Sequence, residues 1–270
     1  VKKLHKVNYY KRINLKMIIK IKDINDLNNK DLKKKISTKG FVILRGLFNK
    51  KEIRSGLMNL KKKFKSNKDL NSISGNSSEI MKNFQKICIG SSSRVKLPEK
   101  KKIYRFHRII YNPIWSLDIY KLRDIFLKFC GIRNKILNFK WDYGTSKIEK
   151  NIWSATRILQ YPSGGGYMSC HQDFFAKNVN KKNNIKFYQF ILNLTEFNRD
   201  FSKGGAYIKK KEKIIFLEKY LKSGDILIYN GNSQHGVSDI DPHKKLNIKD
   251  LNGRIILMNS FYQTKIKKFT

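Results

Sequence analysis

Apolar positions change their spacing near residue 150, from helical periods in the front part to short alternating runs behind it. In the front part, Asn28 to Ser37 reads as a helix, and Phe41 to Leu44, an apolar run after Gly40, reads as a short strand. Asn49-Lys50-Lys51-Glu52 has capping-box spacing, with Asn where Ser or Thr is usual. Behind it Ile53, Leu57, Leu60 and Phe64 share one helical face, a core stripe. Segment 66 to 79, SNKDLNSISGNSSE, is polar enough to predict a flexible loop. A further helix is predicted from Ser116 to Cys130, stopping at Gly131.

Residues 1–150 thus read as helix and loop around one or two strands. From Ile152 onward, short β-like segments are separated by Gly and polar turns: 153–161, 167–174, 186–194, 205–209, 213–217, 225–230, 234–238 and 254–263. Eight short strands at this spacing predict a mainly β sandwich or jelly roll, with the helical front packed on one sheet as a brace. The length of 270 residues fits one decorated β-rich domain, its front spanning 1–150 and its core 151–265.

Composition narrows the partners. A content of 40% apolar and 12% aromatic residues belongs to a folded chain, not a disordered one. No stretch has the apolar length of a membrane span, and the opening VKKLHKVNYYKRINLK has no leader-like run, so the expectation is a cytoplasmic protein. Cys88, Cys130 and Cys170 are odd in number and widely spaced, which predicts reduced thiols. The formal net charge of +39 calls for an acidic partner: an acidic carrier protein, a coenzyme A thioester, anionic lipid or nucleic acid. Against that, Lys, Asn and Ile dominate everywhere, and the basic residues form no single stripe with interleaved aromatics, so nucleic acid is not the expected partner.

The chemistry begins in YPSGGGYMSCHQDFF. His171 and Asp173 are two apart, so on an extended strand both side chains project from one face. A third ligand is supplied by His235 in DILIYNGNSQHGV, at the end of an apolar strand. Two imidazoles and one carboxylate on one face of an iron(II) ion leave three positions open, the facial arrangement of non-haem oxygenases. Two of those positions take a 2-oxo acid and the third takes dioxygen. The far carboxylate of 2-oxoglutarate needs a fixed cation, and Arg254, 19 residues after His235 in GRIILMNSF, presents a guanidinium fork that matches it. Tyr161, ten residues before His171, offers a hydroxyl to the same cosubstrate, and Gln189 shares a strand face with Ile191 and can reach it.

The order H-x-D, G-G, G-D-x-L-x-Y, H and R resembles the iron(II)- and 2-oxoglutarate-dependent dioxygenase superfamily over roughly residues 150 to 265. HQDFF, with GFVILRGLFNKKEI near the front, is similar to the phytanoyl-CoA dioxygenase group. YPSGGGYMSCHQD and QHGVSDI resemble prolyl hydroxylases. The resemblance implies a double-stranded β-helix, with His171, Asp173 and His235 on iron, Arg254 on 2-oxoglutarate, and Tyr161 as a lesser carry-over. Two departures stand out. The insertion DIDPHKKLNIKDLN lengthens the path from His235 to Arg254, and Ile256 stands where many relatives have Ser or Thr. Asp173 is present where halogenating relatives have a small residue, and Ser260 stands where nucleic-acid repair relatives carry a second Arg. Hydroxylation or a related oxidation is therefore the expected reaction.

The resemblance implies a small-molecule substrate or a carrier-tethered acyl or aminoacyl group, with a peptidyl or prolyl hydroxylase as the alternative enzyme. A basic jelly-roll binding protein without catalysis is the alternative of another class. Among other residues, His107 in YRFHRIIYNPIW reads as a packing histidine or a pocket residue, and Trp153, Phe174 and Tyr188 as core or pocket lining. His243 reads as exposed, and His5 as part of a basic tail.

Overall fold

The computed structural model describes residues 15–72, 83–91, 102–145, 151–173 and 175–263. The front comprises β1 (Ile18–Lys20), α1 (Asn29–Lys39), β2 (Phe41–Arg45), α2 (Lys50–Lys63), β3 (Asp69–Ser72), β4 (Phe84–Ser91), β5 (Tyr104–Tyr111) and α3 (Arg123–Ile136). Behind it come β6 (Ile152–Tyr161), β7 (Gly166–His171), α4 (Phe175–Lys182), β8 (Tyr188–Asn193), β9 (Gly205–Lys210), β10 (Lys213–Phe216), β11 (Ile226–Asn230), β12 (Gln234–Ile240) and β13 (Arg254–Gln263).

These strands form a mainly β fold with a jelly-roll core. The hydrogen-bonded path runs β1-β2-β11-β8-β13-β6-β5-β7-β12-β9-β10, with β4 also on β5 and β3 on β4. Strand β5 carries the path across: Arg108 to Tyr111 pair with β6, while Arg105 and Phe106 pair with β7. The eight predicted strands all exist within a few residues of their predicted bounds. One end differs: 167–174 stops as a strand at His171, where Asp173 N–H turns to donate to Gly231 O at 3.1 Å and α4 follows.

The helical front follows its caps. The Asn28 side chain accepts from the N–H groups of Lys30 and Asp31, and α1 ends on Gly40 in the left-handed region at φ 92°. The Asn49–Glu52 capping box is formed, and α2 buries Ile53, Leu57 and Leu60. Gly56 lets α2 approach α3 closely, since a Cβ there would lie 2.6 Å from Ile125 Cδ1.

Three front-end expectations are corrected. The predicted helix from Ser116 to Cys130 begins instead at Arg123, where the Asp118 carboxylate accepts from Leu122 N–H at 3.0 Å and Arg123 N–H at 3.2 Å, and it continues through Gly131 to Ile136. Gly131 is a packing position rather than a stop, because a Cβ there would lie 2.1 Å from the Trp141 ring. The predicted loop 66–79 contains a 3-10 turn at Ser66–Lys68 and then β3, while 73–79 lies outside the described residues. The front also holds five strands in place of one or two, because β4 and β5 place charged residues on buried faces and so escape a simple apolar pattern: Lys86, Arg105 and Arg108 are all buried. The brace is thereby stitched into the sheet. β2 pairs with β11, and Arg45 grips Asp225 with its Nε and Nη2, the latter at 2.7 Å.

Register defines the interior. Along β6 and β13 the facing pairs Tyr161 and Arg254, Leu159 and Ile256, Arg157 and Met258, Ala155 and Ser260, and Trp153 and Tyr262 lie on one face. The intervening residues face the helices: Arg133 of α3 donates to Ser154 Oγ at 2.7 Å, and Cys130 accepts from Asn259.

Candidate active site

His171 ends β7 and stands directly opposite His235 on β12. Their rings are 4.3 Å apart between centroids. Asp173, two residues past His171, closes the group: His235 Nε2 lies 3.4 Å from Asp173 Oδ2, and His171 Nε2 lies 3.7 Å from Oδ1. One ligand atom from each of the three lies within 4.8 Å of the others. An ion held at about 2.1 Å by donors at right angles sets them about 3 Å apart, so a small contraction would close this set on a cation.

The tautomers fit that use. His171 Nδ1 meets Ser169 O at 2.8 Å, and His235 Nδ1 meets Ser233 O at 2.9 Å. A carbonyl only accepts, so each Nδ1 carries a proton, and each Nε2 faces Asp173. Burial holds His235 below its usual pKa, outweighing the opposing pull of Asp173. Asp173 is pushed up by burial but drawn below its usual value overall by the His171 hydrogen bond and by the charges of His235, His171 and Arg157. The set thus offers two imidazole Nε2 atoms and one carboxylate to a cation, and the buried Asp173 Oδ2 has no hydrogen-bond partner. This is the chemistry of an iron(II) site, and the residues fit the ion.

Arg254 opens β13 on the same interior, with its guanidinium carbon 5.7 Å from the Tyr161 ring centroid. Its Nε donates to Glu218 Oε2 at 2.8 Å, while buried Nη1 and Nη2 have no partner. A charged fork left open in a sealed site is costly, and a carboxylate satisfies both nitrogens at once. Tyr161 is buried; burial raises its pKa to about 12, so its hydroxyl stays protonated, and that hydroxyl contacts the weak acceptor Met168 Sδ at 3.8 Å. Gln189 is buried on β8 opposite Tyr229, with Oε1 lacking a partner. Ile256, two residues after Arg254 on the same strand face, is buried and has no hydroxyl to offer a carboxylate.

His107 lies on β5 with its ring 5.5 Å from that of Tyr161, buried and with Nδ1 unpartnered. Burial, and then the charge of Arg105, lowers its pKa to about 3, so it is neutral. Trp153 is core, edge-on to Trp115, and Tyr188 is half-buried on β8. His243 is exposed, and Phe174 and His5 lie outside the described residues. Cys88 and Cys130 are buried thiols, and Cys170 is an exposed one.

Three neighbours of the site escaped the sequence. Glu218 also accepts from Ala206 N–H at 2.8 Å, and it packs against Gly205, where a Cβ would lie 2.5 Å from its Cγ. The Gly204-Gly205 pair, at φ 80° and 131°, is what admits this carboxylate. Its one signal was an acid inside the apolar phrase IIFLEKY. Tyr229 is buried 4.6 Å from the His235 ring, and Arg157 projects from the face that carries Tyr161.

No family model matches the chain, and no curated protein does. Among solved structures, a prolyl-4-hydroxylase from Pseudomonas putida aligns with a TM-score of 0.51 at 13% identity, covering 88% of this chain and 100% of its own. A prolyl hydroxylase from Trichoplax adhaerens, solved with a hypoxia inducible factor peptide fragment, aligns at 0.50 and 12%, covering 87% and 89%. An oxidoreductase of the 2OG-Fe(II) oxygenase family from Burkholderia pseudomallei aligns at 0.46 and 11%, covering 92% and 96%. At such identities the two prolyl hydroxylases establish architecture, and this chain shares their fold.

Proposed function

We propose that the protein is an iron(II)- and 2-oxoglutarate-dependent dioxygenase, with His171, Asp173 and His235 as metal ligands and Arg254 on the far carboxylate of the oxo acid. The observation that carries the reading is the open guanidinium fork of Arg254, 1% exposed and fixed by Glu218, on the same interior that gathers the two histidines and the aspartate. When bound, iron and 2-oxoglutarate supply oxidising power that places one oxygen atom of dioxygen in a substrate C–H bond, with succinate and carbon dioxide as coproducts.

The chain's own part is positional. Ser169 O and Ser233 O orient the two imidazoles, and Glu218 sets the direction of the Arg254 fork. Tyr161 and Gln189 would offer hydrogen-bonding groups to the oxo acid. The apolar side chains of Leu159, Ile191, Ile256 and Met258 share this face and exclude water, which strengthens each electrostatic contact there.

The substrate is a small molecule or a carrier-tethered acyl or aminoacyl group, in line with the phytanoyl-CoA-like front phrase. The net charge of +39 favours an acidic carrier or coenzyme A thioester as the delivering partner. The whole chain acts as one catalytic domain. No described helix is long and apolar enough to cross a membrane.

The test is anaerobic addition of iron(II) and 2-oxoglutarate. A visible charge-transfer band should form, and air should then yield succinate; His171→Ala should abolish both. A wild-type protein without either signal would refute the assignment. Including acyl thioesters and prolyl peptides in the aerobic assay separates the proposed substrate class from a peptidyl hydroxylase.

A further inference from the structure

Resting on that oxygenase reading and narrowing it to its small-molecule branch, we propose that the primary substrate carries a free carboxylate, received by Arg157 inside an aromatic collar beside the metal ligands. Arg157 sits on β6, paired with Met258 of β13 on one side and Tyr111 of β5 on the other. It shares the inner face with Tyr161, the partner of Arg254, from which it is separated by four residues, about 13 Å of strand. The five-carbon diacid held at Arg254 is shorter than that span, so Arg157 addresses a second anion.

Among the described residues no carboxylate is in ion-pair contact with Arg157: Asp173 acts on it only through space, and Tyr111 is a hydrogen-bonding neighbour. Nη2 donates to Ser260 Oγ at 2.7 Å, Nη1 meets the Tyr262 hydroxyl at 3.3 Å, and the buried Nε has no partner. Tyr262 lies beneath the guanidinium at 5.6 Å, Trp153 lies 5.5 Å from Tyr262, and Phe84 stacks on Tyr111 at 4.5 Å. Elsewhere, Arg45, Arg108 and Arg254 are each paired with a carboxylate inside the fold. Arg133 also lacks one, but it is sealed beneath α3 on the opposite face. Arg157 as a residue is only half-buried, with its Nε buried. A desolvated fork among hydroxyls and π faces suits an anion that arrives with apolar, ring-sized substance attached.

The probes are 3-phenylpropanoate and 3-phenylpropanamide, titrated calorimetrically into the full chain with 2-oxoglutarate present to occupy Arg254. Wild type should bind the acid at least tenfold tighter than the amide. Arg157→Met should erase that preference while leaving 2-oxoglutarate affinity, read from the charge-transfer band, within twofold. If Arg157→Met does not fold, Arg157→Lys carries the test: losing the fork should shrink the preference severalfold. Equal binding of acid and amide by wild type, binding of neither, or a preference that survives in the variant overturns the proposal. So does a variant that loses 2-oxoglutarate affinity instead, since Arg157 would then serve the cosubstrate. Absence of the band in wild type would fault the oxygenase reading alone, because the titration needs no metal.

Discussion

Arg254 Nε donates to Glu218 Oε2 across 2.8 Å, and both side chains are 1% exposed. The pair leaves the outer fork of the guanidinium open, so Glu218 acts on any anion there only through Arg254. Removing one partner of a buried pair costs about 3–5 kcal/mol, because the other charge is left uncompensated. Glu218→Ala should therefore lower thermal stability sharply and weaken 2-oxoglutarate binding by tenfold or more. Glu218→Gln retains an acceptor and should lose less of both. Arg254→Lys should fold but bind 2-oxoglutarate far more weakly, since a single ammonium cannot reproduce the two-pronged contact. Titration of the charge-transfer band, alongside melting curves, separates these effects.

The proposed metal ligands set a pH dependence with a definite sign. Metal competes with protons for His Nε2 and for the Asp173 carboxylate. Since the folded pKa of His235 lies below the ordinary histidine value and that of Asp173 below the ordinary carboxylate value, each takes up less proton than an ordinary group would as pH falls from 8 to 6.5. Manganese(II) affinity, followed by paramagnetic resonance, should hold nearly level in that range on their account and decline further into acid. His235→Ala should abolish binding at every pH.

The jelly-roll half of the fold was legible because its strands alternate between Gly-containing turns, and because His171, Asp173, His235 and Arg254 each sit at the edge of an apolar phrase. The front was less legible. Strands β4 and β5 bury Lys86, Arg105, His107 and Arg108, so hydropathy alone hides them. Glu218 left only a faint signal for a related reason: its role depends on Ala206 and Arg254, 12 and 36 residues away. Contacts of that kind are written in topology, not in local spacing.

His107 should make the fold acid-labile. Its folded pKa of about 3 lies below the unfolded histidine value near 6.5, so between those limits the unfolded chain binds one more proton than the folded one. Stability is therefore complete above about pH 6.5 and falls as pH drops toward 3, at roughly 1.4 kcal/mol per pH unit for one group. His107→Phe keeps a ring against Tyr161 and removes the titration. Urea midpoints measured from pH 7 to 4.5 should fall less steeply for the variant than for wild type.

Gly131 is a helix-interior glycine whose replacement would ordinarily stabilise α3 by up to about 1 kcal/mol. Here a Cβ would enter the Trp141 ring, so the sign reverses. Gly131→Ala should destabilise the protein by about 1–3 kcal/mol, the range for overpacking. Trp141 emission should shift at the same time as the ring is displaced.

Asp241, fully buried after β12, anchors the insertion that separates His235 from Arg254. One carboxylate oxygen accepts from the Ser202 and Lys203 N–H groups at 2.8 Å each and from the Ser202 hydroxyl at 2.9 Å; the other accepts from Ser163 Oγ at 3.0 Å and meets Lys244 Nζ at 2.8 Å. Burial alone would push this carboxyl up, yet the Lys244 contact and the Ser202 and Lys203 N–H groups hold it far below the usual range. A depressed folded pKa stabilises the protein fully above the unfolded value near 3.9 and loses that contribution as pH falls below it. Asp241→Asn keeps the shape but supplies one oxygen where two accept, and should cost about 1–3 kcal/mol at pH 7. Because the anchored loop feeds directly into β13, the same variant should also loosen Arg254, raising the 2-oxoglutarate dissociation constant severalfold in the charge-transfer titration. Unchanged stability and unchanged affinity together would show that the insertion is held by its backbone alone.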